Sequence, residues 1–220
     1  TPTAELSSAH TLAELKAINN AIDGTLTLHD STVALNGSSA DVAAALDGTF
    51  AAQYTGTVSL NDNHTIDQLK TINDQTNNTI TLTSYAVGLT GSTANVKAAL
   101  DGTFAAAYTG NVVLNDADSV NIAAADITTI EGDTSGTVTV SNNINLQGTA
   151  AAVAAAVADV NTFSGTPTAT LTSAHDLAEL KAINDALSGT LTLNDYTVAL
   201  SGSSADVAAA LDGTFAATYT

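Results

Sequence analysis

Along the chain, apolar and hydroxyl residues alternate in short bursts: Thr25-Leu-Thr-Leu28, Thr79-Ile-Thr-Leu82, Thr137-Val-Thr-Val140 and Thr190-Leu-Thr-Leu193. A period of two sends successive side chains to opposite faces, so each burst predicts a half-buried β-strand. Between the bursts the period lengthens. Leu12, Leu15 and Ile18 recur at helical spacing, as do Val42 and Leu46, and predict short helices with one narrow buried stripe. Their starts are marked by Thr11-Leu-Ala-Glu14, Thr65-Ile-Asp-Gln68 and Asp176-Leu-Ala-Glu179. These are capping boxes, in which the first side chain and the fourth each accept a backbone N–H that the helix leaves unpaired. Gly48, Gly102 and Gly213 stand where a second kind of helix should end, and a left-handed C-cap is expected there.

Aligning the chain with itself reveals a repeat of about 54 residues. The segment TLAELKAIN at Thr11–Asn19 returns at Thr65–Asn73 and Asp176–Asn184, with ADITTIEGDTSG from Ala125 as a degenerate copy. SADVAAALDGTFAA from Ser39 returns from Thr93 and Ser204, with a divergent copy from Ala151. The copies run 2–56, 57–110, 111–166 and 167–220, and the third carries extra residues around Asn121–Ala124. Within each copy TVALNG (Thr32–Gly37) resembles TVSLND (Thr57–Asp62), which suggests a coil of about 27 residues. Each coil then holds a strand, a polar turn, a helix and a second strand such as Thr25–Leu28 or Phe50–Thr55.

Strand–helix–strand units in series favour parallel pairing through right-handed crossovers, and so short a repeat can bury its apolar stripe only against its neighbours. The expected fold is therefore α/β: a right-handed solenoid of short parallel strands and short helices, with residues 1–220 forming one fragment of a longer array. Parallel strands stack at about 4.8 Å and helices at about 8–10 Å, so the helix column should be the wider. The alanines of the second helix (Ala43–Ala45, Ala98, Ala99, Ala208–Ala210) would let it pack closely. Leu100 is expected in the interior beside Leu46. A 27-residue coil should pair Val33–Leu35 with Val58–Leu60 and then with Val87–Leu89. A 54-residue coil should instead set Val58–Leu60 beside Val112–Leu114.

Composition narrows the function. The apolar 45% is mostly Ala, Val, Leu and Ile, with no Trp, Met or Cys and few rings, which suits thin stacked layers. Four lysines face 22 acids, for a net charge of −18. A chain with no basic surface cannot neutralise phosphates, which excludes nucleic acid and anionic membrane surfaces as partners. No apolar run approaches the roughly 20 residues that span a bilayer. Absence of cysteine excludes a disulfide scaffold and thiolate metal sites. An acidic chain without arginine offers few trypsin-type cleavage sites, and an extracellular or cell-surface location is expected.

The SADVAAALDGTFAA and TLAELKAIN segments resemble those of the very large Ala/Thr/Asp-rich repeat proteins on the surfaces of cyanobacteria and other bacteria. The resemblance covers the whole chain and implies a surface-layer, adhesin or filament component. The partners expected are neighbouring repeats of the same chain and, should it assemble, other copies of itself.

Three sets of polar residues are candidates for chemistry. His10, His64 and His175 share one repeat position, held by Asp118 in the third copy. Imidazoles two coils apart would lie about 10 Å from one another, too far to share a metal, so a turn or capping role is expected. Asp62, Asp116, Asp118 and Asp195 lie in LND-type loops and are weak calcium candidates, although no EF-hand or GGxGxD loop is present. Asn and Asp in turns also bond their own backbone, and no cofactor is otherwise expected. The T-x-T pairs at Thr25/Thr27, Thr79/Thr81, Thr137/Thr139 and Thr190/Thr192 resemble the arrays of flat ice-binding β-solenoids. Because every conspicuous polar residue recurs with the repeat, no enzyme is expected. Two readings stand: a structural stalk, adhesin or filament segment, and a module that binds ions, ice or glycans.

Overall fold

The computed structural model describes residues 2–220. It is α/β, with thirteen short strands, parallel wherever their pairing is given below, and eight helices among the described residues. The chain divides into two compact units. The first comprises residues up to Leu89 with Asn95–Asn111 and Asp133–Gly136, and the second comprises Thr90–Ala94, Val112–Gly132 and Thr137–Thr220.

The first unit opens with β1 (Ala4–Glu5), α1 (Leu12–Ala21), β2 (Leu26–Thr27), β3 (Leu35–Gly37) and α2 (Ser39–Leu46). It continues through β4 (Val58–Leu60), α3 (Ile66–Gln75) and β5 (Ile80–Thr81). β6 (Leu89–Gly91) and α4 (Thr93–Leu100) give residues to both units. The second unit contains β7 (Val112–Leu114), β8 (Asn121–Ala123), all but the end of α5 (Ala124–Asp133), β9 (Val138–Val140) and β10 (Asn145–Gly148). Then come α6 (Ala150–Asp159), β11 (Thr162–Phe163), β12 (Thr168–Leu171), α7 (Leu177–Ala186), β13 (Leu191–Thr192) and α8 (Ser204–Leu211).

The capping boxes start their helices as the sequence predicts. Glu14 N donates to Thr11 Oγ1 at 3.3 Å and Thr11 N donates back to Glu14 Oε2 at 2.8 Å. Thr65 with Gln68 and Asp176 with Glu179 repeat the arrangement. The second helices use a single cap, Ser38 for α2, Thr149 for α6 and Ser203 for α8. In the first unit α2 packs between α1 and α3, and in the second unit α7 packs between α6 and α8. Leu15, Val42, Leu46, Leu69 and Ile72 are sealed from solvent in the first unit, and Leu100 is buried as expected.

The strand pairing departs from the expectation in an informative way. Leu35 pairs with Val58, and Val58 pairs onward with Ile80, not with the Val87–Leu89 segment and not with Val112–Leu114. Helices α1, α2 and α3 begin at 12, 39 and 66, a step of 27. Paired strand residues are only 22 to 26 apart. The ladder therefore slips back along the strands at each step, because helix stacking and strand hydrogen bonding follow different periods. The slippage is itself repeated: Ala4–Leu26–Phe50, Val58–Ile80–Phe104 and Ala169–Leu191–Phe215 are the same ladder.

Two local expectations are corrected. Phe50–Thr55 is not a strand, because the chain bends after Phe50 and leaves single bridges at Phe50 and Tyr54. Gly48, Gly102 and Gly213 are not left-handed caps, since the only glycine with positive φ among the described residues is Gly165. They are glycines because of close approach. A Cβ at Gly102 would collide with the Asn73 side chain, and one at Gly213 with Asn184.

Candidate functional site

The four aspartates are held by different partners. Asp62 Oδ1 accepts from Ser39 N at 2.7 Å, which caps α2 from 23 residues further along the chain. Asp116 does the same for Thr93, accepting its N at 2.9 Å and its Oγ1 at 2.6 Å. For the third copy's helix α6, Ser173 Oγ from the fourth copy takes the equivalent place and accepts Ala150 N at 3.0 Å. Asp118 Oδ1 accepts Asn143 N at 2.9 Å, while Asp195 Oδ1 closes a turn by accepting Thr197 N at 2.8 Å and Thr197 Oγ1 at 2.7 Å. Each carboxylate binds backbone donors, and among the described residues no three His, Cys, Asp or Glu side chains converge on a point where a metal could sit.

The T-x-T pairs are likewise dispersed, because they occur once per copy while ladder neighbours lie only 22 to 26 residues apart. Thr27 lies beside Glu5, Thr81 beside Ser59, Thr139 beside Val113 and Thr162, and Thr192 beside Thr170. No one of the four pairs is the ladder neighbour of another. On the sheet of β8, β10, β12 and β13 a different polar ladder forms, where Asn145 Nδ2 donates to Asn121 Oδ1 at 2.8 Å and Thr168 Oγ1 donates to Asn145 Oδ1 at 3.1 Å.

The histidines do not take the turn or capping role expected of them, because each ring is buried and bonds a tyrosine from a distant part of the chain. His10, His64 and His175 are 6%, 4% and 4% exposed. Each meets a tyrosine 44 residues later: His10 Nε2 lies 3.1 Å from Tyr54 Oη, His64 Nε2 3.0 Å from Tyr108 Oη and His175 Nε2 2.9 Å from Tyr219 Oη. Each tyrosine hydroxyl then donates to a backbone carbonyl, Val33 O at 2.5 Å, Val87 O at 2.7 Å and Val198 O at 2.6 Å. The rings meet edge-on or tilted, with centroids 5.7 to 5.9 Å apart. Burial holds all three imidazoles below the ordinary histidine range, against the pull of nearby carboxylates, and pushes the Tyr54 hydroxyl up to about 12.

The tyrosine partners escape a reading based on motifs because the relay closes across 44 residues. A signal for them was nevertheless present. In the third copy the histidine position is Asp118 and the FAAxYTG segment contracts to Phe163-Ser-Gly165, so histidine and tyrosine disappear together. A second set of cross-bonds also went unread: Asn19, Asn73 and Asn184 donate to Ala45 O, Ala99 O and Ala210 O, joining the end of one helix to the end of the next.

Comparison of the chain with protein-family models, with curated proteins and with solved structures finds no match.

Proposed function

We propose that this chain is a structural repeat segment of an extracellular or cell-surface protein, a stalk, adhesin or filament component built as a right-handed β/α solenoid with one helix per coil of about 27 residues. One observation carries the reading. The candidate polar residues recur with the repeat, and most are used to join one segment to the next: Asp62 to Ser39, Asp116 to Thr93, and each buried histidine to its tyrosine. A scaffold needs its polar side chains for such joints, whereas a catalytic centre needs a cluster that departs from the repeat. The resemblance to the Ala/Thr/Asp-rich surface proteins and the charge of −18 agree with this.

The test is the dependence of molecular length on copy number. Small-angle scattering from polypeptides carrying two, four and six copies should give a maximum dimension that grows by a constant increment per copy. A dimension that levels off would rule out the spacer. Antibody labelling of intact source cells addresses the location, and labelling only after lysis would count against the cell surface.

A further inference from the structure

The three His–Tyr–carbonyl relays do more than fill the interior, because their proton inventory is fixed. A tyrosine has one hydroxyl proton, and the carbonyls of Val33, Val87 and Val198 can only accept. The hydroxyl proton therefore points at the carbonyl, and the tyrosine oxygen must accept from Nε2–H of the histidine. In a neutral imidazole that leaves Nδ1 bare. Nδ1 of His10, His64 and His175 is buried and has no hydrogen-bond partner. A second proton would create a charged N–H in the interior with nothing to receive it, which is costly.

We propose that each relay is a proton-sensitive latch, closing a 44-residue span while its imidazole is neutral and released when the imidazole is protonated. This goes beyond the scaffold reading and does not depend on it. A plain solenoid could join its segments with apolar side chains, and the third copy does without histidine and tyrosine together, as expected if the pair operates as one unit.

The groups facing each latch set its working range. Asp30 and Glu14 act on His10, and Glu5 lines the same cavity. Asp62 acts on His64, and Glu179, Asp195 and Asp176 act on His175. The carboxylates that act on the imidazoles favour the imidazolium, and burial outweighs them. Hydrogen bonds from Thr11, Thr32 and Thr197 hold Glu14, Asp30 and Asp195 below their ordinary range, so these carboxylates stay charged where the histidines titrate.

The sign follows from linkage. The histidine pKa is depressed in the folded state, so the unfolded chain binds more protons, and stability falls as pH drops below the ordinary value of about 6.5. At pH 5.5 each histidine that stays neutral when folded weakens the folding equilibrium by about 11-fold, compounding where several unfold together. Working in 1 M NaCl, where the Debye length is about 3 Å, removes long-range charge effects.

Two measurements decide the proposal. Imidazole ¹H–¹⁵N correlation spectra of the whole chain at pH 7.5 should show His10, His64 and His175 as Nε2–H tautomers. Urea unfolding in 1 M NaCl should lose about 10-fold per histidine between pH 7.5 and 5.5, and His64→Gln, which keeps a donor for Tyr108, should remove its own share of that slope. Nδ1–H tautomers, or a folding equilibrium flat across this range, would overturn the latch. Should the variant not fold, the tautomers and pH slope of the unaltered chain still give the answer.

Discussion

The octapeptide SADVAAAL occurs twice, as α2 (Ser39–Leu46) and as α8 (Ser204–Leu211), and the two copies show what the chain's local and long-range chemistry each contribute. Locally they agree. Both are eight-residue helices, and the N-caps Ser38 and Ser203 have nearly the same backbone angles, φ −64° and ψ 149° against φ −67° and ψ 151°. Their burial differs. α2 lies between α1 and α3, and Leu46 is 0% exposed, whereas α8 packs on α7 and Leu211 is 38% exposed. Ala45 and Ala210 are sealed in both, since the preceding helix covers that side. Ser39 is buried under Asp62, Asn63 and Gln68, while Ser204 is exposed. Helix formation is therefore a property of the octapeptide, and core membership is conferred by its neighbours.

The largest contrast should come from charge placed at the same position of each copy. Leu46→Asp buries an unpaired carboxylate and should abolish folding of the first unit, as should Leu100→Asp, while Leu211→Asp leaves a folded chain by circular dichroism. An intact fold in Leu46→Asp would break the comparison. Truncation gives a graded version: Leu46→Ala should cost about 2–5 kcal/mol in urea unfolding, and Leu211→Ala about 1 kcal/mol, because that side chain already meets water. Asp62→Ala removes the acceptor for Ser39 N and should cost about 1–2 kcal/mol, an effect confined to the copy that has such a partner.

Caps should erase the contrast. Ser38→Ala and Ser203→Ala should each cost about 1 kcal/mol, and a large difference between them would show that the caps too depend on neighbours. The smallest effect expected is that of calcium. Added NaCl should raise the melting temperature by screening the charge of −18, and micromolar Ca²⁺ at matched ionic strength should add nothing. A chelator-reversible shift would make Asp62, Asp116 and Asp195 ligands as well as caps or turn residues.

What the sequence determined by itself is the set of features decided within a few residues. The capping boxes at Thr11, Thr65 and Asp176, the alternation in Thr25–Leu28 and the apolar stripe of Leu12, Leu15 and Ile18 act over one or two turns, so they can be read without knowing what lies alongside. The repeat was legible for the same reason, being a comparison of the chain with itself. Tertiary structure decided the rest. The ladder register depends on which residues of the next segment come alongside when the helices stack, which no single segment encodes. Gly102 is required by the Asn73 side chain and not by its own backbone angles. His64 becomes a buried donor only when Tyr108, 44 residues on, closes over it. Contacts of this kind are set by three-dimensional packing, in which residues far apart in the chain become neighbours, and so they become visible only once the segments are stacked.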